Sequence, residues 1–408
     1  MRRTALRMPF ILAAVCLFAG SDWLQFRGTD NRSVSDQRDL PRTFRAGENV
    51  AWKAPLPGPG PSGPIVVAGR VVVTCASGPR QERLHVLTLD AKSGQPLWHR
   101  QLWATGSLNF SSFGGMAAPT PASDGRRIFA SWSSNDLVCF DLEGNLQWLR
   151  GLGYESPTSR NDVGMASSPL VVGDTVVVQL ENMGDSFAMG LDADSGQTRW
   201  RLPLEADAAW TSPVVLRGNP GAGDLVVLQS RANLRVLEPR TGKPIAVYDH
   251  WTDTMASGTT DGQTIFLPAD GVRALRLDRA SGQLKLVWHG PRLQTSSASV
   301  VAAAGRVYTL KSPGILVCGD AADGSQLWQL RLTGPFWATP VVAGGYLYAV
   351  NHAGLVQCVQ LGREGKLVGT SQIDPGILAS PAVAEGAIYF RSNTHLWKIA
   401  GAGQKRAK

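Results

Sequence analysis

The stretch Asp192-Ala193-Asp194-Ser195-Gly196 is the part of this sequence most like a site for chemistry. Acidic side chains two residues apart, opening a loop with a glycine, can ligate calcium. But the stretch is in phase with Asp90-Ala91-Lys92-Ser93-Gly94, where Lys92 stands in place of the second acid. Both read as tight turns in which the leading Asp accepts hydrogen bonds from the backbone ahead of it. His85, His99, His250, His289, His352 and His395 are scattered, with no i, i+4 pair of the kind that holds zinc on a helix. No nucleophile elbow or phosphate-binding loop occurs. Asn31-Arg32-Ser33 and Asn109-Phe110-Ser111 match a glycosylation acceptor, a pattern too short to decide anything. No two of the five cysteines are adjacent. Cys139 in "LVCFD", Cys318 in "LVCGD" and Cys358 in "LVQCVQ" sit at matching places, and Cys75 ends an apolar run, so all four read as buried, unpaired thiols.

What is left is material for binding. Two long connecting stretches, 103–117 and 153–166, carry Phe110, Phe113 and Met116 in the first and Arg160, Asn161 and Asp162 in the second. Trp210 and Trp337 lie in shorter connections. Aromatic and Met side chains with a few charges suit a partner or ligand site, and the competing reading is that the two Trp residues pack between structural units.

The elements that must position these residues repeat. Short apolar runs begin at Pro64, Pro119, Pro169, Pro213, Gly258, Ser299, Pro340 and Pro381, four of them with Ser or Thr directly before the Pro. In the first unit "PIVV", "VVVT", "LHVLTL" and "QPLWHRQL" are four β-branched or alternating segments separated by turn residues. No long 3.6-period helix follows residue 50. Four strands per 40–50 residues, eight times over, predict an all-β, eight-bladed β-propeller of four-stranded antiparallel blades. The eighth unit stops after three strands, while "NVAWKAPL" (49–56) is a fourth strand with no first three. The N-terminal strand is therefore expected to complete the last blade and remove an open edge. The stretches at 103–117 and 153–166 both precede a first strand, so they rise on one face, side by side. Met116, Ala166, Trp210, Met255, Ser296, Trp337 and Leu378 stand three residues before successive strand starts and would surround the mouth on that face.

The turn-and-Trp pattern of "LDAKSGQPLW" (89–98), "FDLEGNLQW" (140–148), "LDADSGQTRW" (191–200) and "GDAADGSQLW" (319–328) resembles the repeats of quinoprotein-like propellers. The resemblance covers about residues 45–400. It implies that Trp98, Trp148, Trp200 and Trp328, with Trp52 from the N-terminal strand, dock adjacent blades. The pattern fades in three units, where Ala246, Leu286 and Gly369 hold the Trp place and Trp288 lies nearby. The family has a catalytic branch of quinone-dependent alcohol and sugar dehydrogenases. It also has non-catalytic scaffolds such as the lipoprotein subunit of the outer-membrane β-barrel assembly machinery. Many of the former place their cofactor over the ring beside a disulfide between neighbouring Cys residues, with calcium held by carboxylate and amide groups; this chain has no such pair and little room for long inserts. The expectation is a non-catalytic scaffold with no cofactor, binding another protein at or near the outer membrane, or a small ligand over the ring mouth. The alternatives are a quinone-dependent dehydrogenase and a sugar-binding propeller.

The net charge of +8 is concentrated at the ends, each with three basic residues and no acid, which leaves +2 for the body and no footprint for nucleic acid. Residues 1–21 combine a basic start, a short apolar run and small residues before a cut after Ser21, as in an export signal. Cys16 offers a rival reading as a lipidated first residue, against which Val15 counts. The chain thus divides into a signal (1–21), a leader (22–48) laid on the ring by Trp23, Phe26, Leu40 and Phe44, a propeller (49–400) and a basic tail (401–408). It is expected to be exported to the periplasm or beyond, monomeric, with no membrane-spanning segment.

Overall fold

The computed structural model describes residues 22–401 apart from 112, 219 and 220, so the expectations for the export signal, Cys16 and most of the tail lie outside the described residues. Eight four-stranded antiparallel blades follow one another around a ring, the seventh joined by a fifth, parallel strand, Val34–Ser35 of the leader. The innermost strands are Ile65–Val67, Ala122–Ser123, Leu170–Val172, Val214–Leu216, Thr259–Thr260, Val301–Ala303, Val341–Ala343 and Ala382–Ala384. Each touches the next, and the last touches the first, closing a channel. The eighth blade takes its outer strand from Val50–Pro55, antiparallel to His395–Ala400, as expected for the headless N-terminal strand.

In every blade the register between third and fourth strands slips once, a β-bulge that turns the side chain after it toward the neighbouring blade. Trp52, Trp98, Trp148, Trp200 and Trp328 occupy this place. Their indole N–H groups donate to Ala91, Leu142, Ala193, Pro239 and Gly362 carbonyls at 3.1, 2.9, 3.1, 2.8 and 3.3 Å, all in the next blade's turn. The glycine of that turn is required. Gly94 has φ +72° and a Cβ there would lie 2.6 Å from the Trp52 ring. Trp288 is a sixth member, donating to Ala321 at 3.0 Å. Counting four residues from glycine missed it, because the hairpin before it is longer; in bulge register it is equivalent, pairing with Ala274. Ala246 and Gly369 hold the place in blades four and seven. At Gly369 the leader fills the gap: a Cβ there would meet the Arg42 carbonyl at 2.3 Å, and Phe44 stacks on Phe390 of blade eight.

The rest of the leader enters the channel. Trp23 pairs both ways with Val66, the Leu24 carbonyl accepts from Ser123, and Gln25 Oε1 from Val171. Asn31 Oδ1 accepts from Val215, the Ser33 carbonyl from Val342, and Gln37 Oε1 from Gly386. Arg27 donates to the Gly258 and Val300 carbonyls of blades five and six at 2.5 and 3.1 Å. The leader thereby reaches all eight blades and satisfies inner-edge backbone groups that would otherwise face an apolar channel.

Candidate functional site

Seven of the eight inner strands are preceded by a small hydroxyl residue whose oxygen accepts the backbone N–H of its counterpart one blade earlier. Thr120 accepts from Gly63, Ser168 from Thr120, Ser212 from Ser168, Ser257 from Ser212, Ser299 from Ser257, Thr339 from Ser299 and Ser380 from Thr339, all at 2.8–3.1 Å. The ring breaks at Gly63, where a Cβ would lie 2.9 Å from the Ser380 carbonyl. A hydroxyl carries one donor as well as its acceptor lone pairs. Among the described residues none of these seven protons is taken by a protein acceptor.

Above the hydroxyl ring opens a cavity of about 350 Å³. Its walls are Pro61, Ala118, Ala166, Trp210, Met255, Ser297, Trp337 and Leu378, one residue per blade, and Phe26 of the leader lines it as well. The two long loops lean on each other and into the mouth: Ser111 N–H donates to the Val163 carbonyl at 2.9 Å, and Phe113 and Val163 both line the cavity. Phe113 reaches as far as blade seven, stacked on Trp337 with ring centroids 5.7 Å apart. Among the described residues no Asp, Glu, Lys or Arg lines the cavity.

The residues singled out in the sequence separate here. Trp210, Trp337 and Phe113 line the cavity; the Trp210 indole also donates to the Gly164 carbonyl at 2.8 Å, fixing the neighbouring loop. Met116 does not line it. It is buried in the core between blades one and two, and Ala118 stands in its place. The reason is phase: Thr120-Pro121, not Pro119, matches Ser168-Pro169, which moves the second unit by two residues. In the sixth unit Ser299 is the ring hydroxyl, so Ser297 rather than Ser296 faces the mouth. Phe110 is half-buried against the same core, and Arg160 and Asp162 are exposed outside the cavity with Asn161 between them. The hydroxyl ring was missed in the sequence, and Phe26, expected only to pack the leader on the ring, lines the cavity as well. The recurrent Ser or Thr before Pro was the available signal for the ring.

Asp192 Oδ1 accepts from Asp194 N–H, Ser195 N–H and Ser195 Oγ at 2.9–3.0 Å, and Asp192 Oδ2 pairs with Arg199, so the turn's own donors saturate the carboxylate. Cys75, Cys139, Cys318 and Cys358 are free and buried, and burial raises each thiol, Cys139 to about 12. His85 and His99, remote in a count of spacings, meet across strands at 3.0 Å; burial pushes His85 down to about 4, so it is neutral at pH 7. Among the described residues no three His, Cys, Asp or Glu side chains gather as a metal site. The resemblance implies that many dehydrogenases of the catalytic branch hold their quinone beside a neighbouring-Cys disulfide, with calcium on carboxylate and amide groups; among the described residues the lining holds no Cys and no carboxylate, so it does not fit that arrangement.

The family model described as outer membrane protein assembly factor BamB matches residues 44–184, 117–257 and 184–408. No curated protein matches by sequence. Among solved structures, BamB from Moraxella catarrhalis has 17% identity and a TM-score of 0.63, over 85% of this chain and 96% of its own. A europium-containing methanol dehydrogenase has 15% identity and a TM-score of 0.69, over 92% and 90%. The quinohemoprotein alcohol dehydrogenase from Comamonas testosteroni has 12% and 0.70, over 95% and 82%. At such identities these likenesses show the shared propeller fold alone.

Proposed function

We infer the function from one premise, that the chain belongs to the family of outer membrane protein assembly factor BamB: it is an exported, non-catalytic scaffold that docks a partner protein on its loop face. The observation that carries this reading is the distribution of exposed apolar side chains. Trp103, Phe113, Tyr154, Val163, Met183, Trp251 and Met255 are all well exposed, Tyr154 and Met183 at 77% and 73%. All seven sit in or at the ends of connections on the face where fourth strands lead to first strands and second strands to third. Apolar residues gathered on one face of a monomer mark interaction surfaces, and aromatic side chains are the usual anchors. The blades hold the loops in place, so docking orders little of the chain. The partner is a protein at or near the outer membrane. The remaining exposed apolar side chains, Leu97, Leu146, Leu149, Val247, Leu286, Val287, Leu327 and Leu367, are aliphatic and spread around the outer strands of six blades; Leu97, Leu146, Leu327 and Leu367 sit at the strand ends toward the opposite face, with no aromatic among them.

The test is affinity capture of partners from envelope extract by the wild-type chain and by a Trp103→Ser, Tyr154→Ser, Met183→Ser triple variant. The variant should lose at least about tenfold in partner affinity, with an unchanged melting temperature because all three side chains are exposed. Equal capture by both proteins would overturn the assignment of this face.

A further inference from the structure

Arg27 is a cation with no counter-ion. Its side chain is wholly buried in the channel, it forms no salt bridge, and its Nε has no hydrogen-bond partner. Burial lowers its pKa to about 9, which still leaves it charged at neutral pH. It is anchored on the Gly258 and Val300 carbonyls, each one residue beyond a ring hydroxyl, Ser257 and Ser299. The charge therefore lies just beneath the cavity floor on the side of blades five and six. Its other neighbour is the Phe26 ring, 5.3 Å from the guanidinium carbon.

Three features of the cavity then share one sign. The hydroxyls of Ser257 and Ser299 already accept a backbone N–H each, so what they offer upward is a proton. The buried guanidinium beneath them acts through a medium of low polarizability, where a charge is screened far less than in water. Among the described residues no carboxylate lines the cavity to cancel it. The walls on the same side, Trp210, Met255 and Trp337, are apolar.

We propose that the mouth cavity binds a small amphiphilic monocarboxylate. Its head is received by the Ser257 and Ser299 hydroxyls above Arg27, and its apolar body is held among Trp210, Met255 and Trp337. A single buried positive charge favours a single negative head. Arg27 acts through its field rather than by contact, since its side chain does not line the cavity; two of its five N–H donors hold carbonyls beneath the floor. The apolar body can be an alkyl chain or an aromatic ring, because Met and aromatic walls accept both. Phe113, Val163 and Met255 belong both to the mouth and to the proposed docking face, but Trp103, Tyr154 and Met183, the residues changed in the docking test, do not line the cavity, so the two proposals are tested separately.

Isothermal titration of the exported chain with decanoate and with 2-naphthoate, each beside its neutral amide, tests the proposal. Saturable binding of either carboxylate, with its amide at least ~10-fold weaker, is the expected result, and the tighter of the two identifies the body. Arg27→Gln should lower carboxylate affinity, but that variant loosens the channel plug and can fail to fold. Ser297→Asp leaves the plug intact and places an anion at the mouth beside the head site. It should weaken the carboxylate at least ~10-fold and strengthen decylammonium, with the melting temperature unchanged. Amides binding as tightly as carboxylates, indifference to Ser297→Asp, or no saturable binding at all would each overturn the proposal.

Discussion

Glu181 lies buried where blade three meets blade four, with Ser230 Oγ donating to its Oε1 at 2.8 Å and Gln179 Nε2 donating to the same oxygen. Burial is the larger influence and raises the carboxyl to about 7, despite these two donors. A carboxyl with a raised folded-state pKa holds its proton more tightly when folded. Its contribution to stability is fully present below the unfolded value near 4.5 and is lost as pH rises through 7. The difference between wild type and Glu181→Gln should therefore change by up to ~3 kcal/mol from pH 4 to pH 8, the wild type losing ground as pH rises. Denaturant melts of the two proteins across that range check it, and a pH-independent difference would contradict the burial argument. His85 works in the opposite direction, being held neutral when folded, but it is common to both proteins and cancels. At the same scale, the ring hydroxyls show how position changes a residue's chemistry. A Ser before Pro reads along the chain as the start of a strand; across the ring it is an acceptor for the neighbouring blade and a donor to the cavity.

The outer strand Val50–Pro55 is the element on which closure depends. Its Trp52 is buried against Tyr389 and the turn of blade one, and the strand pairs along the last blade's edge. Trp52→Ala should cost ~3–5 kcal/mol, the usual range for emptying a large aromatic site. Removing residues 22–56 takes away this strand together with the channel plug and Phe44, and should give an opened or aggregating product with a lower melting temperature. If that truncated chain melts like the full one, the closing strand is dispensable. The bulge before each docking position explains why six blades present a Trp sideways although the strand pleat alone would alternate it between faces. It also explains why blade seven tolerates Gly369, since the leader's backbone occupies the space an indole would need.

The described residues form a ring threaded by its own leader, with the proposed docking face and the cavity on one side of that plug. A quinone with calcium would need ligands that the mouth does not provide, so pyrroloquinoline quinone and calcium added to the protein should raise neither its melting temperature nor any dye-linked dehydrogenase activity. A stoichiometric chromophore with a thermal shift would instead support the catalytic branch, whose fold the chain shares. Among the described residues no helix is long and apolar enough to cross a membrane.

The sequence by itself determined what is local and periodic. The four-strand units, the Gly-to-Trp turns, the headless strand at 49–56 and the shared face of the loops at 103–117 and 153–166 all follow from short-range patterns that recur along the chain. Such patterns fix hydrogen bonding and alternation within a blade without reference to the rest of the chain. Tertiary structure alone decided what depends on partners remote in sequence. It moved Met116 into the core and Ala118 to the mouth, because phase in the second unit is set by which hydroxyl joins its neighbours around the ring. It revealed Trp288 through bulge register rather than spacing. It sent Arg27 into the channel beneath Ser257 and Ser299, more than 200 residues away along the chain, because only the closed ring brings eight inner edges together around one segment that can satisfy them.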